Sequence, residues 1–452
     1  MNIQTLIEKF VKAGNAPAIV SDDLTWSYSE LVKRVNIQRN LLNKDGIENS
    51  VVLLCADYGH ESLALLIALW QNNNIVALHK NKSPESLEKL AKVTGAKLAL
   101  APFSDGTHFK VECQFNQRQP EIVHSLLGKA EPGIVIFSSG TAGEPKGVLH
   151  ALNPLLAKYG NTRSCGKLLA FLLFDHMGGI VTVLHALSTQ GTLVLPKERT
   201  PREVCRCIER FQVETLHLSP TMLNLVVNTD SFKARDFSSL QHIDFGSEPM
   251  SQTLLTRLQK AFGSVSFCHT YGMSEFGLLM GDPDHPDQTG VKVDPEYKLR
   301  VVDGILHIQG PTLMQGYINQ EAEFTNDGYL ITQDTAELKD GFLKITGRRS
   351  DIINVGGKSV IPSLVEKKML EIDNIADVSV YGETNPILGQ IVAACCYLHE
   401  PEVVDEVKQR VFGCLKGHLS AEQIPRLITI SDSPLVTERF KKAKSPEKIA
   451  HI

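Results

Sequence analysis

The chain has no apolar run long enough to cross a membrane; its longest, Leu63–Trp70, falls far short of such a span. Met1–Asn15 mixes charged and apolar residues at helical spacing and lacks the apolar core of a secretory leader. No stripe of Lys and Arg interleaves with aromatics, which are 6% of residues, and the net charge is −5. Neither a nucleic-acid partner nor a polybasic membrane contact is indicated. The nine cysteines are an odd, scattered set. Cys395 and Cys396 are adjacent in a strand-like run, and Cys205 and Cys207 have no second pair to complete a zinc site. The fifteen histidines show no ligand spacing. These absences point to a reducing, cytoplasmic setting without a structural metal.

What is present is a globular composition, 42% apolar and 21% charged, in 452 residues, too many for one ordinary core. Apolar strands alternate with helical patterns from the N-terminus onward. Strands are expected at Val51–Ala56, Ile75–Leu78, Lys97–Leu100 and Ile134–Phe137, with helices at His60–Trp70 and Ser86–Val93. Asp105–Gln119 is polar and reads as a connection. Further strands follow at Gly191–Leu195, Thr215–Leu218, His242–Phe245 and Val265–His269, and Thr200-Pro201-Arg202-Glu203 opens a helix as a capping box. That alternation predicts a layered α/β fold with largely parallel strands. Past Val291 the strands shorten, and Asp340-Gly341 between two apolar runs signals a hairpin. The expected architecture is a large multi-layer N-terminal α/β domain, residues 1–347, and a small C-terminal α+β domain, residues 348–452.

One stretch organises the rest. Ile134–Phe137 breaks into Ser138-Ser139-Gly140-Thr141-Ala142-Gly143, then Glu144-Pro145-Lys146-Gly147. Glycines let backbone N–H groups turn toward an anion, hydroxyls add donors and the lysine adds a charge, which is the chemistry of a phosphate cradle. The spacing is not that of a Walker A loop. Later strands end in Gly246-Ser247-Glu248-Pro249 and Thr270-Tyr271-Gly272-Met273-Ser274-Glu275, at the kind of strand terminus where open α/β sheets take ligands.

In order, the phosphate-type loop, Gly246–Pro249, Thr270–Glu275, Gly310–Tyr317, Gly328–Leu338 and Gly347–Glu366 resemble the motif series of the adenylate-forming superfamily. That superfamily includes acyl- and aryl-CoA synthetases, adenylation domains of nonribosomal peptide synthetases, and luciferases. The resemblance runs from about Leu24 to Lys444. It implies ATP-dependent conversion of a carboxylic acid to an acyl-adenylate, with pyrophosphate released, then transfer to a thiol. Charge neutralisation dominates such chemistry, because an anionic nucleophile attacks an anionic phosphate.

By this resemblance Ser138, Ser139, Gly140, Thr141, Gly143 and Lys146 wrap the β- and γ-phosphates. Tyr271 lies against adenine, with Gly246, Ser247, Glu248, Pro249, Thr270 and Gly272 lining the slot. Ser274 bonds the α-phosphate, Glu275 holds Mg²⁺, Asp334 accepts the ribose hydroxyls, and Arg348 adds a cationic contact. The lysine that bridges the carboxylate and the α-phosphate is Lys441, counted from Thr437, with Lys442 the alternative. Phe440 replaces the glycine common before it, Ala142 a second threonine, and Gln333 a glycine. Arg349 and Ser350 are the expected hinge of a mobile small domain, and Gly356-Gly357 would admit a thiol arm or form a simple hairpin turn.

The acyl pocket is assigned to Asp175, His176, Gly179, Phe245 and Met273. Asp175 resembles the aspartate that binds an α-ammonium in amino-acid-activating domains. His176-Met177-Gly178-Gly179 resembles the segment of acyl- and aryl-CoA synthetases in which glycines leave room for an apolar chain or ring, and this is the favoured reading. The expected cofactors are ATP, Mg²⁺ and CoA, or the phosphopantetheine of a carrier protein acting in trans. The alternatives are an enzyme that loads such a carrier and a nucleotide-binding regulator without catalysis.

Overall fold

The computed structural model describes residues 1–103, 109–138, 145–160, 162–248, 250, 252–281, 290–437 and 442–443. An eight-stranded sheet runs in the order Gly277–Met280, Ser266–Met273, His242–Gly246, Thr215–Leu218, Lys167–Leu169, Thr192–Val194, Pro17–Val20, Thr25–Ser27. Its six inner strands are parallel, and each edge strand is antiparallel to its neighbour. A seven-stranded sheet is ordered Gly316–Tyr317, Lys146–Ala151, Gly133–Ser138, Ile75–His79, Val51–Cys55, Leu98–Pro102, Phe109–Gln114.

The helices His60–Gln71 and Met177–Ser188 are buried on nearly every side, so their apolar residues form continuous runs instead of one stripe. Val52, Leu54 and Ile134 of the second sheet and Leu168 and Leu193 of the first share one core with them. The outer face of the first sheet is covered by Pro201–Phe211, Pro220–Val227 and Gln252–Phe262, whose apolar residues pack with Leu216, Ile243 and Phe267. Thr200 caps its helix as the sequence signals, accepting from the Glu203 N–H at 3.2 Å.

Several strands were not legible, among them Phe109–Gln114 and Lys146–Ala151. Phe109–Gln114 lies inside the segment read as a connection; it is an edge strand with Phe109 as its one buried residue, so it carries no apolar alternation. Lys146–Ala151 pairs antiparallel with Gly133–Ser138, register Ser138↔Lys146. A third sheet contains the Asp340-Gly341 hairpin, with Leu330–Lys339 paired to Phe342–Arg348. Beyond it, Ile353–Val355, Lys358–Val360, Ile375–Asn385, Gly389–Leu398 and Leu427–Ser431 form a fourth sheet with a core of its own, drawn from Ile353 through Ile428. Among the described residues no helix is long and apolar enough to cross a membrane.

Candidate active site

The strands Gly133–Ser138 and Lys146–Ala151 place Ser138 opposite Lys146. Ser139, Gly140, Thr141 and Gly143 lie outside the described residues, as does Pro249. Asn319 braces the Lys146–Ala151 strand: its Oδ1 accepts from the Gly147 N–H at 3.1 Å and its Nδ2 donates to the Pro145 carbonyl at 3.0 Å. Lys146 Nζ stands 5.6 Å from the centroid of the Tyr317 ring, a cation–π contact. The Tyr317 hydroxyl in turn donates to Glu275 Oε1 at 2.7 Å. Lys146 and Glu275, the residues expected to serve the phosphates and magnesium, are therefore joined through one tyrosine. Burial, then the Glu275 carboxylate, push the Tyr317 phenol well above its usual range, so it remains a donor.

Ser274 and Glu275 sit at the tip of the hairpin between Ser266–Met273 and Gly277–Met280. A Cβ on Gly272 would come within 2.7 Å of the Gly277 carbonyl oxygen, so the close pairing needs glycine there. His150 is buried beneath the tip, its Nε2 2.6 Å from the Ser274 carbonyl oxygen. Burial holds its pKa down, to about 4, so a neutral imidazole donates that bond. The Glu275 carbonyl accepts from the Met314 N–H at 2.7 Å.

Tyr271, Asp334 and Arg348 converge. The Tyr271 hydroxyl donates to Asp334 Oδ2 at 2.5 Å and Arg348 Nε donates to Oδ1 at 2.7 Å. Asp334 and Arg348 face each other across adjacent strands, which fixes their approach. Burial and the adjacent carboxylate hold the Tyr271 phenol well above its ordinary pKa. On the neighbouring strand end, a Cβ on Gly246 would lie 2.4 Å from the Thr270 carbonyl oxygen, and Ser247 takes φ 72°.

Glu275 is the one carboxylate at the hairpin tip, and no cluster of three or more metal-ligating side chains occurs among the described residues. That donor set suits Mg²⁺, which takes one or two carboxylates and fills its remaining positions with water and nucleotide phosphates.

The residues assigned to the acyl pocket are not all brought together. His176 Nδ1 lies 2.9 Å from Asp175 Oδ1. Burial works against ionisation of Asp175, but His176 and the Lys80 backbone N–H hold its carboxyl below the usual range. Phe245 points to the opposite face of the sheet, into the cluster with Leu216 and Phe267, and stacks on His269 at 5.0 Å. The face toward the helix Met177–Ser188 carries its strand neighbour Asp244 instead. A Cβ on Gly179 would stand 2.1 Å from the Leu173 carbonyl oxygen and one on Gly178 2.8 Å from Leu172 Cδ1, so the preceding turn packs closely against both glycines. Met273 precedes the hairpin tip, pairs with Gly277 and packs beside Tyr271 and Phe276.

Sequence reasoning missed a buried polar group on that inner face. His217 Nε2 lies 3.1 Å from Asp244 Oδ2, His217 Nδ1 lies 3.2 Å from Thr182 Oγ1, and His185 stacks on His217 at 5.6 Å. Burial, then His217, depress His185 to about 4. Only the strand phase, alternate residues facing the central helices, marks these positions in sequence.

At the far end, Arg349–Asp351 forms a single 3-10 turn that joins the third and fourth sheets. Gly356 and Gly357 take φ +57° and +86° in a tight hairpin turn, closed by the Gly357 N–H to Asn354 Oδ1 at 2.9 Å. Lys441 lies outside the described residues. Lys442 directs its Nζ to Glu366 at 3.3 Å and Asp377 at 3.2 Å. Burial opposes its charge, but these carboxylates keep the ammonium above the ordinary lysine pKa.

Comparison with known proteins shows the family. A CoA ligase of Mycobacterium tuberculosis, 3-[(3aS,4S,7aS)-7a-methyl-1,5-dioxo-octahydro-1H-inden-4-yl]propanoyl:CoA ligase, is 28% identical over 318 residues, 66% of this chain and 62% of that protein. The matched region thus spans under two thirds of that relative's length. The 4-chlorobenzoate–CoA ligase of an Arthrobacter species is 24% identical over 462 residues, 88% of this chain and 85% of the relative. The ATP-bound structure of MatB from Rhodopseudomonas palustris superposes with a TM-score of 0.82 at 18% identity, covering 99% of this chain and 98% of that one, and so shares the fold. The family described as AMP-binding enzyme matches residues 7–318. With a match over more than half its length, the chain belongs to the AMP-binding enzyme family, the adenylate-forming group that its motif series resembles.

Proposed function

We propose that the protein activates a carboxylic acid as its acyl-adenylate, releasing pyrophosphate, and then passes the acyl group to the thiol of CoA. The single observation that carries this reading is the convergence of Tyr271, Asp334 and Arg348 beside the Lys146–Tyr317–Glu275 chain. One group offers an aromatic face, a carboxylate and a guanidinium suited to a nucleoside. The other offers a cation and a carboxylate suited to its phosphates.

In this reading Ser138 and Lys146 hold the leaving pyrophosphate, together with Ser139, Gly140, Thr141 and Gly143 of the loop. Asp334 accepts ribose hydroxyls while Arg348 and Tyr271 keep its oxygens oriented. Ser274 donates to the α-phosphate from a hairpin tip that His150 steadies. Glu275 would hold Mg²⁺, which supplies charge neutralisation at the phosphates. Lys441 bridges the attacking carboxylate and the α-phosphate. We place the unit boundary at Gly347–Arg348 and the hinge at Arg349 and Ser350, where one short turn links separate cores.

A plain acyl or aryl acid is favoured over an amino acid because Asp175 already accepts from His176 at 2.9 Å. A substrate ammonium would compete with that bond. Asp175→Asn is accordingly expected to change turnover of a fatty or aromatic acid by less than about fivefold, whereas an amino-acid enzyme would lose its charge partner. Steady-state kinetics on one acid of each kind separate the cases. The CoA ligases among the relatives support CoA as acceptor rather than a carrier protein's phosphopantetheine. Mass spectrometry of reactions holding ATP, acid and CoA tests it: an acyl-CoA product is expected, and its absence together with loading of a carrier protein would reverse the choice.

A further inference from the structure

Glu248 lies where distant parts of the chain meet. Its Oε1 accepts from the Thr221 N–H at 2.6 Å. Thr221 is in the first turn of Pro220–Val227, where N–H groups have no partner within the helix; Pro220 lacks one, and Ser219 caps Met222 at 3.1 Å. Burial pushes the Glu248 carboxyl above its usual range, while the Thr221 and Lys442 N–H groups and the helix dipole work the other way. Glu248 is thereby pinned to the large unit by one oxygen. Its other oxygen, Oε2, accepts from the Lys442 backbone N–H at 2.7 Å, across 194 residues of sequence.

Lys442 is anchored just as firmly on the other side. Its backbone bridges Val436, the next N–H, of Ala443, donates to the Leu435 carbonyl at 2.8 Å, and its ammonium meets Glu366 and Asp377. Those carboxylates are themselves held: Glu366 Oε1 accepts from the Val380 N–H at 2.9 Å and Asp377 Oδ1 from the Val378 N–H at 2.8 Å. Lys442 therefore travels with the C-terminal unit, whereas Glu248 belongs to the nucleotide-side unit. The bond between them spans the two.

We propose that Glu248 and Lys442 form a latch that holds the C-terminal unit in its acid-activating orientation, Glu248 as receptor and Lys442 as the anchored bolt. This rests on the acid-activating reading above, since the residue preceding Lys442 in sequence is the lysine assigned to that chemistry. Both act as positioning residues. Glu248→Gln keeps the volume but can satisfy only one of the two N–H groups as an acceptor, because its amide nitrogen is a donor. Glu366→Gln combined with Asp377→Asn loosens the bolt from the other side. Rotation of the C-terminal unit to its second orientation would break the Glu248 bond and preserve the Lys442 ion pairs.

The test compares the two half-reactions in the same variants and adds a distance measurement that needs no turnover. In Glu248→Gln, and in the Glu366→Gln/Asp377→Asn double variant, ATP–pyrophosphate exchange is expected to fall about tenfold relative to thioester formation from supplied acyl-adenylate. Ser219→Ala, which weakens the same helix terminus without touching the tail, leaves that ratio unaltered. A ratio unaltered in all three, or altered as much by Ser219→Ala, overturns the latch. For distances, spin labels go on Cys414, the exposed native cysteine, and on Lys233→Cys, with Cys113 replaced by serine. Glu248→Gln should broaden a narrow distance distribution into two populations, and an unchanged distribution overturns the proposal. Because the labels report without catalysis, a protein with no exchange activity refutes the acid-activating reading and leaves the latch separately decided.

Discussion

Lys441→Ala is expected to lower acid-dependent ATP–pyrophosphate exchange by about 10³-fold, while thioester formation from a supplied acyl-adenylate changes little. The asymmetry follows from the role proposed for the lysine. It neutralises charge where two anions approach, and once the acyl-adenylate exists that approach is complete. The alternative residue, Lys442, spends its ammonium on Glu366 and Asp377, 3.3 and 3.2 Å away, so it has no free charge to place between substrates. Lys442→Ala should therefore act through tail position and cost about tenfold, on the scale of a lost charge-assisted contact. Normal exchange in Lys441→Ala, with loss in Lys442→Ala, would transfer the bridging role to Lys442.

Asp334→Asn is expected to cut kcat/KM for ATP about 100-fold, which corresponds to about 3 kcal/mol. Asp334 receives the Tyr271 hydroxyl on one oxygen and Arg348 Nε on the other. An amide presents a donor to one of these donors, so either the tyrosine turns away or the guanidinium is left without its carboxylate. The geometry offered to a ribose is lost along with the charge. A 100-fold change in KM for the acid, with kcat/KM for ATP unchanged, would place Asp334 outside the nucleotide site.

The parts of this fold that announce themselves in sequence do so for local reasons. Val51–Cys55 and Ile75–His79 are buried on both faces and read as unbroken apolar runs, and Thr200 and Asp340-Gly341 carry their own cap and turn chemistry. Tyr271, Glu275, Asp334 and Arg348 were legible as an ordered motif series, and the structure joins Tyr271, Asp334 and Arg348 in one cluster. Tyr317 closes the Gly310–Tyr317 motif but carries no role legible in sequence, because its meaning depends on Lys146 and Glu275 arriving from two other segments. Phe245 shows the limit more sharply. A strand neighbour differs only in phase, and which phase faces the central helices is decided by the sheet's outer layer. The carboxylate of Glu248 had no sequence signal at all, since its second partner is a backbone N–H 194 residues away.

Adenylation of a carboxylic acid by this chain is read out by ATP–pyrophosphate exchange with the purified protein across a panel of fatty, aromatic and amino acids. Exchange is expected to depend on the added acid, to be strongest with a plain acyl or aryl acid, and to disappear in Lys441→Ala. Tight ATP binding with no exchange on any acid would contradict it and identify a nucleotide-binding regulator on the same fold.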